Sequence, residues 1–264
     1  MNNHPIGIFD SGLGGLSVWQ ELIKILPQES LIYYADSAHC PYGQKSASEI
    51  ITLSEHIVDF LLEKGCKIIV VACNTATAAA IHHLREKYEV AFIGMEPAIK
   101  PAALNTLTGK VGVLATQGTL NGALFKQTKE KFANGVEVFT QVGYGLVELV
   151  ENGQYTSQEA ENLLREYIQP MIDKQIDQLV LGCTHYPFFI PIIEQITHGE
   201  VTIVNASVAV AKRVKDILLD KALQADEGQR PQYSFYTSGE LALLKNLVSR
   251  IFPEGEYQVF QKIL

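Results

Sequence analysis

No stretch of the chain approaches the roughly 18 consecutive apolar residues that a membrane-crossing helix needs. The opening residues, MNNHPIGIFD, lack the basic segment and apolar core of a secretory leader. Positive charge is scarce as well: 21 Lys and Arg against 29 Asp and Glu leave a net charge of −8. No Lys/Arg cluster offsets it, which argues against nucleic acid and anionic membranes as partners. These absences together read as a cytoplasmic protein. Charged residues are only 19% of the chain and hydrophobic ones 47%, which excludes disorder; 264 residues suffice for one large or two modest α/β domains.

Cysteine is also sparse, with Cys40, Cys66, Cys73 and Cys183 and no CxxC pair. A cytosolic chain of this length needs no disulfide staples, so free thiols are expected. Nucleotide motifs are missing too. The stretch DSGLGGL does not complete GxGxxG, and YGQKS lacks the glycine and GK step of a phosphate loop. Its glycines are better suited to letting backbone N–H groups approach a carboxylate. Zinc is disfavoured, because Cys183-x-His185 alone supplies too few ligands.

What is present is a regular alternation of strand-like and helix-like runs, the pattern of parallel α/β architecture. IGIFD, LIYYAD, KIIVVACNT and VAFIGM read as strands separated by helices, one of them spanning Ser46–Lys64. After EPAIKPAA the pattern restarts with KVGVLAT, GVEVFTQ, DQLVLGCTH and VTIVNA. QGTLNGALFKQTKEKF reads as a single helix, and a helix is expected directly after each of Cys73 and Cys183. Ile6 and Val111 lie 111 − 6 = 105 residues apart, and Cys73 and Cys183 lie 183 − 73 = 110 apart. Near-constant spacing points to a duplicated unit. The fold class expected is therefore α/β: two pseudo-symmetric three-layer parallel domains with the site in the cleft between them. Residues 1–97 with 207–264 are assigned to the first domain and 98–206 to the second. The last segment, with YSFYTSG and YQVF, can pack on either half by pattern alone.

In open α/β sheets ligands bind beyond the carboxyl ends of the strands. Those ends carry Asp10-Ser11-Gly12, Asp36 with the loop HCPYG, Cys73-Asn74-Thr75, Thr116 and Cys183-Thr184-His185. Two domains facing one cleft put Cys73 on one wall and Cys183 on the other. A thiol of ordinary pKa about 8.5 can both take and give a proton near neutrality. Two of them on opposite sides of one stereocentre invert it. Asp10 is placed to assist Cys73 and His185 to assist Cys183, while Glu148 and Glu151 are further carboxylate candidates. An anionic ligand is expected on backbone amides and on the hydroxyls of Ser11, Thr75 and Thr184. Taken singly, Asp10, Ser11 and Thr75 also suit helix caps, and His185 suits a structural hydrogen bond. Their joint placement at corresponding strand ends favours chemistry.

GIFDSGLGGLSV, DSAHCPYGQKS, VVACNTATA, MEPAIKPA, LVELVENG and LVLGCTHYP together resemble the aspartate/glutamate racemase family, in the family's motif order, from Ile6 to about Val214. ACNTA together with GCTHYP is the specific part. The resemblance implies a cofactor-independent enzyme that interconverts L- and D-glutamate and supplies D-glutamate for peptidoglycan, and a homodimer. Cys73 and Cys183 match the family's catalytic cysteines, and Asp10, Glu151 and His185 match its assisting groups. Asp10, Ser11, Tyr42, Gly43, Asn74, Thr75, Thr184 and His185 match substrate-binding positions. FTQVGYGLVELVENG lacks the cysteine-proline that many members carry, and Cys40 has no catalytic counterpart. Relatives within the family act on aspartate, hydantoins or maleate; DSG with PYG and CTHYP favours glutamate. A flavodoxin-like binding module without activity is the alternative from another class, and the presence of both cysteines speaks against it.

Overall fold

The computed structural model describes residues 2–264. The first four strands are β1 (Ile6–Asp10), β2 (Leu31–Ala35), β3 (Ile68–Val71) and β4 (Ala91–Gly94), interleaved with helices α1 (Leu16–Ile25), α2 (Ala47–Glu63) and α3 (Asn74–Lys87). Helix α4 (Ile99–Asn105) leads into β5 (Lys110–Ala115), α5 (Gln117–Asn121), α6 (Ala123–Phe132) and β6 (Glu137–Val142). Then come α7 (Leu146–Glu151), α8 (Gln158–Ile172), β7 (Gln178–Gly182), α9 (Ile190–Ile196) and β8 (Thr202–Val204). Helix α10 (Ser207–Asp220), β9 (Tyr233–Thr237), α11 (Leu241–Ile251) and β10 (Gln258–Gln261) complete the chain.

The strands form two sheets, a six-stranded one in the order β10-β9-β2-β1-β3-β4 and a four-stranded one in the order β6-β5-β7-β8. Every pairing in both is parallel. β1, β2, β3 and β7 are buried along their whole length, as parallel strands covered by helices on both faces must be. Their sequences are accordingly continuous apolar runs without alternation. Counted from each half's first strand, the shared order is 2-1-3-4, so β3 and β7 occupy equivalent places. The two expected α/β units are therefore present, and Cys73 and Cys183 follow equivalent strands.

The final segment joins the larger sheet, because β2 still has a free edge that β9 fills with the register Leu31 to Tyr233. Trp19 of α1 fastens it, with ring centroids 5.5, 5.0 and 5.2 Å from Tyr233, Phe235 and Phe252. Helix α2 begins where the sequence predicts, at a capping box formed by Ser46 and Glu49. The helix expected across Gln117–Phe132 is broken instead. Gly122 is extended (φ −64°, ψ 146°) and splits it into α5 and α6. A Cβ at Gly122 would lie 2.9 Å from that of Ala78, so the break lets α5 press against α3. Among the described residues no helix is long and apolar enough to cross a membrane.

Candidate active site

Cys73 follows β3 by two residues and caps α3, its sulfur accepting from the Ala76 amide at 3.4 Å. That places it at the positive end of a fourteen-residue helix. Cys183 follows β7, but the helix expected directly after it is delayed. Proline at position 187 leaves only a 3₁₀ turn over Tyr186–Phe189 before α9. Cys183 is served by a side chain instead, with its sulfur 3.8 Å from His185 Nδ1.

Both thiols line one buried pocket together with Ser11, Tyr42, Gly43, Asn74, Thr75, Thr116, Thr184 and His185. Its interior volume of about 10 Å³ matches a single water. A ligand larger than a water molecule therefore enters only if the pocket widens. Glu151 is held beside His185, 2.7 Å from its Nε2. Glu148 lies apart, in a neighbouring cavity with Gly43 and Thr116.

The assisting groups are wired across the domains. Asp10, fully buried at the end of β1, accepts from the Gly15 amide at 2.8 Å and faces the Thr184 hydroxyl at 3.3 and 3.4 Å. Burial raises its carboxyl above the usual range, against the lowering pull of His185 and the Gly15 amide. Burial, with the Asp10 carboxylate adding to it, also pushes the Cys73 thiol up; its hydrogen bonds with the Ala76 amide and the Ser11 hydroxyl pull the other way.

His185 Nε2 lies 2.7 Å from Glu151 Oε1 and 3.2 Å from the Gly14 amide nitrogen, while Nδ1 faces Cys183 and, at 4.0 Å, Asp10 Oδ2. Burial opposes the imidazolium, yet hydrogen bonds to Cys183, Cys40 and Glu151 outweigh it and raise its pKa well above the ordinary value. Glu151 is itself held by the larger-sheet domain, through the Leu13 amide at 2.5 Å and the Ser37 hydroxyl at 2.9 Å. Asn74 is buried with neither its amide nitrogen nor its oxygen hydrogen-bonded. A buried amide without partners is costly, and it is the kind of group a polar ligand satisfies.

Two features escaped the sequence reading. Thr119 joins Thr75 and Thr116 in a hydroxyl cluster with oxygen separations of 2.8, 2.9 and 3.4 Å. The signal available was its place three residues after the strand-end Thr116, where it donates its amide to that hydroxyl. Cys40 lies beside His185 and Glu151, and nothing in the local sequence marks that contact. Burial, offset in part by a hydrogen bond to His185, pushes its thiol up to about 12.

The family model for Asp/Glu/Hydantoin racemase matches residues 6–214. Glutamate racemase of Pseudomonas paraeruginosa is 47% identical over 250 residues, covering 94% of this chain and 92% of the relative. A glutamate racemase isoform of Bacillus anthracis superposes with a TM-score of 0.87 at 31% identity, over 100% of this chain and 99% of the other. Glutamate racemase of Francisella tularensis, solved with D-glutamate, gives 0.85 at 29% identity over 100% and 98%. With a family model matching residues 6–214 and a relative 47% identical over 94% of this chain, the protein belongs to the Asp/Glu/Hydantoin racemase family.

Proposed function

We propose that this protein interconverts L- and D-glutamate by a two-base mechanism without a cofactor, supplying D-glutamate for peptidoglycan. The observation that carries the proposal is that Cys73 and Cys183, at the ends of equivalent strands in two domains, line the same pocket. One cysteine, as thiolate, removes the α-proton from its face of the amino acid; the other, as thiol, delivers a proton to the opposite face. Reversal of the roles runs the reaction backwards. Asp10 exchanges the proton of Cys73, and His185, oriented by Glu151, exchanges that of Cys183. Ser11, Tyr42, Gly43, Asn74, Thr75, Thr184 and His185 hold the substrate. The α-proton is weakly acidic, so the developing charge needs fixed donors in a dry pocket. The buried hydroxyls and the Asn74 amide supply them.

The same reading takes residues 1–97 with 207–264 as one domain and 98–206 as the other, in line with strand membership of the two sheets. It also takes the protein as a cytoplasmic homodimer. Exposed Leu104, Leu107 and Ile263 offer apolar surface for a second copy.

The test is racemisation of each enantiomer in deuterated water, followed by circular dichroism and by mass. Deuterium is expected in the inverted product, and Cys73→Ser and Cys183→Ser should each lower turnover by about 10³-fold or more, since a hydroxyl is a far weaker acid than a thiol. Full turnover in both variants would exclude the two-base scheme. Turnover of aspartate with none of glutamate would overturn the substrate.

A further inference from the structure

Cys40 plays no part in the proposed proton transfers, yet it sits at their edge. One donor atom from each of Cys40, Glu151 and His185 lies within 4.8 Å of the other two. We infer that these three side chains form a site for a thiophilic divalent cation, Zn²⁺ or Cd²⁺, that fastens the two domains together and disables His185.

A thiolate, an imidazole and a carboxylate are a donor set suited to a borderline-soft cation. Three protein ligands leave a fourth position open to water. Ligand bonds of roughly 2.0–2.3 Å around a tetrahedral centre put the donors about 3.3–3.7 Å apart. His185 Nε2 and Glu151 Oε1, now 2.7 Å apart, must open slightly, while Cys40 Sγ already lies within 4.8 Å of both residues' donor atoms. Cys40 and Glu151 are half-buried, so both can adjust and a cation can reach them from solvent. The Leu13 amide and the Ser37 hydroxyl already orient the Glu151 carboxylate, as supporting groups do around metal ligands.

The three ligands come from three segments. Cys40 lies in the loop after β2 of the larger sheet, Glu151 ends α7, and His185 follows β7 of the smaller sheet. A bound cation is therefore a cross-link over the cleft that substrate must open. It also takes the Nε2 lone pair. The Cys40 proton and the Nε2 proton of the imidazolium both go to solvent, and His185 keeps a single proton on Nδ1; no electron is transferred. An imidazole fixed in that form donates toward Cys183 but no longer accepts its proton. The inhibition rests on the racemase reading; the binding does not.

The experiment uses the purified full chain, stripped of metal and free of thiol reductant. Titration with Cd²⁺ is followed by the cadmium–thiolate charge-transfer absorbance and by melting temperature, and titration with Zn²⁺ by turnover. Wild type is expected to develop the band and melt higher. In Cys40→Ser and Cys40→Ala, the Zn²⁺ concentration that halves each variant's own metal-free turnover should rise by about tenfold or more. In Glu151→Gln the midpoint of the cadmium band should also move to higher concentration. Equal cadmium bands and equal zinc sensitivity in wild type and both Cys40 variants would place the metal on other cysteines and overturn the inference. An inactive but cadmium-binding wild type whose band depends on Cys40 would instead count against the racemase reading alone.

Discussion

Gly14 lies so close to His185 that a Cβ there would fall 2.2 Å from the ring's Nδ1. Gly12 stands in the same relation to Glu151 Oε1, also at 2.2 Å. Gly12 and Gly14 of DSGLGGL are therefore needed for close approach between domains. Gly14→Ala should displace the imidazole from Cys183. Misplacement by about an ångström costs on the order of 10²-fold in rate. Turnover should fall by that order while the melting temperature drops only modestly, the strain being of order 1–3 kcal/mol. Turnover within about twofold of wild type would show that the loop yields and the ring does not.

Asp36 organises the loop that carries Tyr42 and Gly43. Its Oδ2 accepts from the Tyr42 hydroxyl at 2.6 Å, and its Oδ1 accepts from Ser238 at 2.8 Å and faces His39 Nδ1 at 2.8 Å. Asp36→Asn offers one acceptor and one donor group where two acceptors are used. The mismatch should cost about 1–3 kcal/mol in chemical denaturation. KM for glutamate should rise with it, because Tyr42 and Gly43 line the pocket. An unchanged KM in a destabilised variant would separate this network from substrate binding.

The pKa of His185 is raised by its thiol and carboxylate neighbours against its burial. A folded value above the unfolded one, ordinarily about 6.5, means that the stabilisation is complete below pH ~6.5. It is lost as pH climbs through the folded value. His185→Gln removes the titrating group. The melting temperature of wild type minus that of the variant should therefore decrease as pH rises from 6.5 upward. A difference that stays flat or grows over that range would mean that the raised pKa is absent.

Much of this was legible in the sequence, for physical reasons. Buried parallel strands are continuous apolar runs, and their carboxyl ends are the only polar positions facing a cleft. The strand ends at Asp10, Cys73 and Cys183 were therefore visible without coordinates. Contacts that depend on how the domains meet were not visible. Glu148 and Glu151 are both glutamates of α7, and only the packing against His185 separates them. Cys40 approaches His185 through the path of a loop held by Asp36, which no local pattern encodes. The break at Gly122 sets its backbone so close to Ala78 of α3 that a side chain there would meet it, a contact no local pattern encodes.

Stability should depend on one pair remote from the pocket. Lys67 Nζ lies 2.6 Å from Glu29 Oε2, and the side chains are only 2% and 4% exposed. Lys67 also donates to the Asn2 carbonyl at 2.5 Å, and Glu29 accepts from the Ala225 amide at 2.9 Å. The pair thus ties the start of the chain, the entry to β3 and the segment after α10 at one point. Removing one member leaves a charge buried without its partner, which costs about 3–5 kcal/mol; removing both costs less, because no isolated charge remains. Lys67→Met should lower the unfolding free energy from chemical denaturation by that amount, and Lys67→Met with Glu29→Gln should recover part of the loss. Additive losses in the double variant would mean that the two charges do not act as a pair. Turnover at low temperature should stay close to wild type in both variants, since neither residue lies near Cys73 or Cys183.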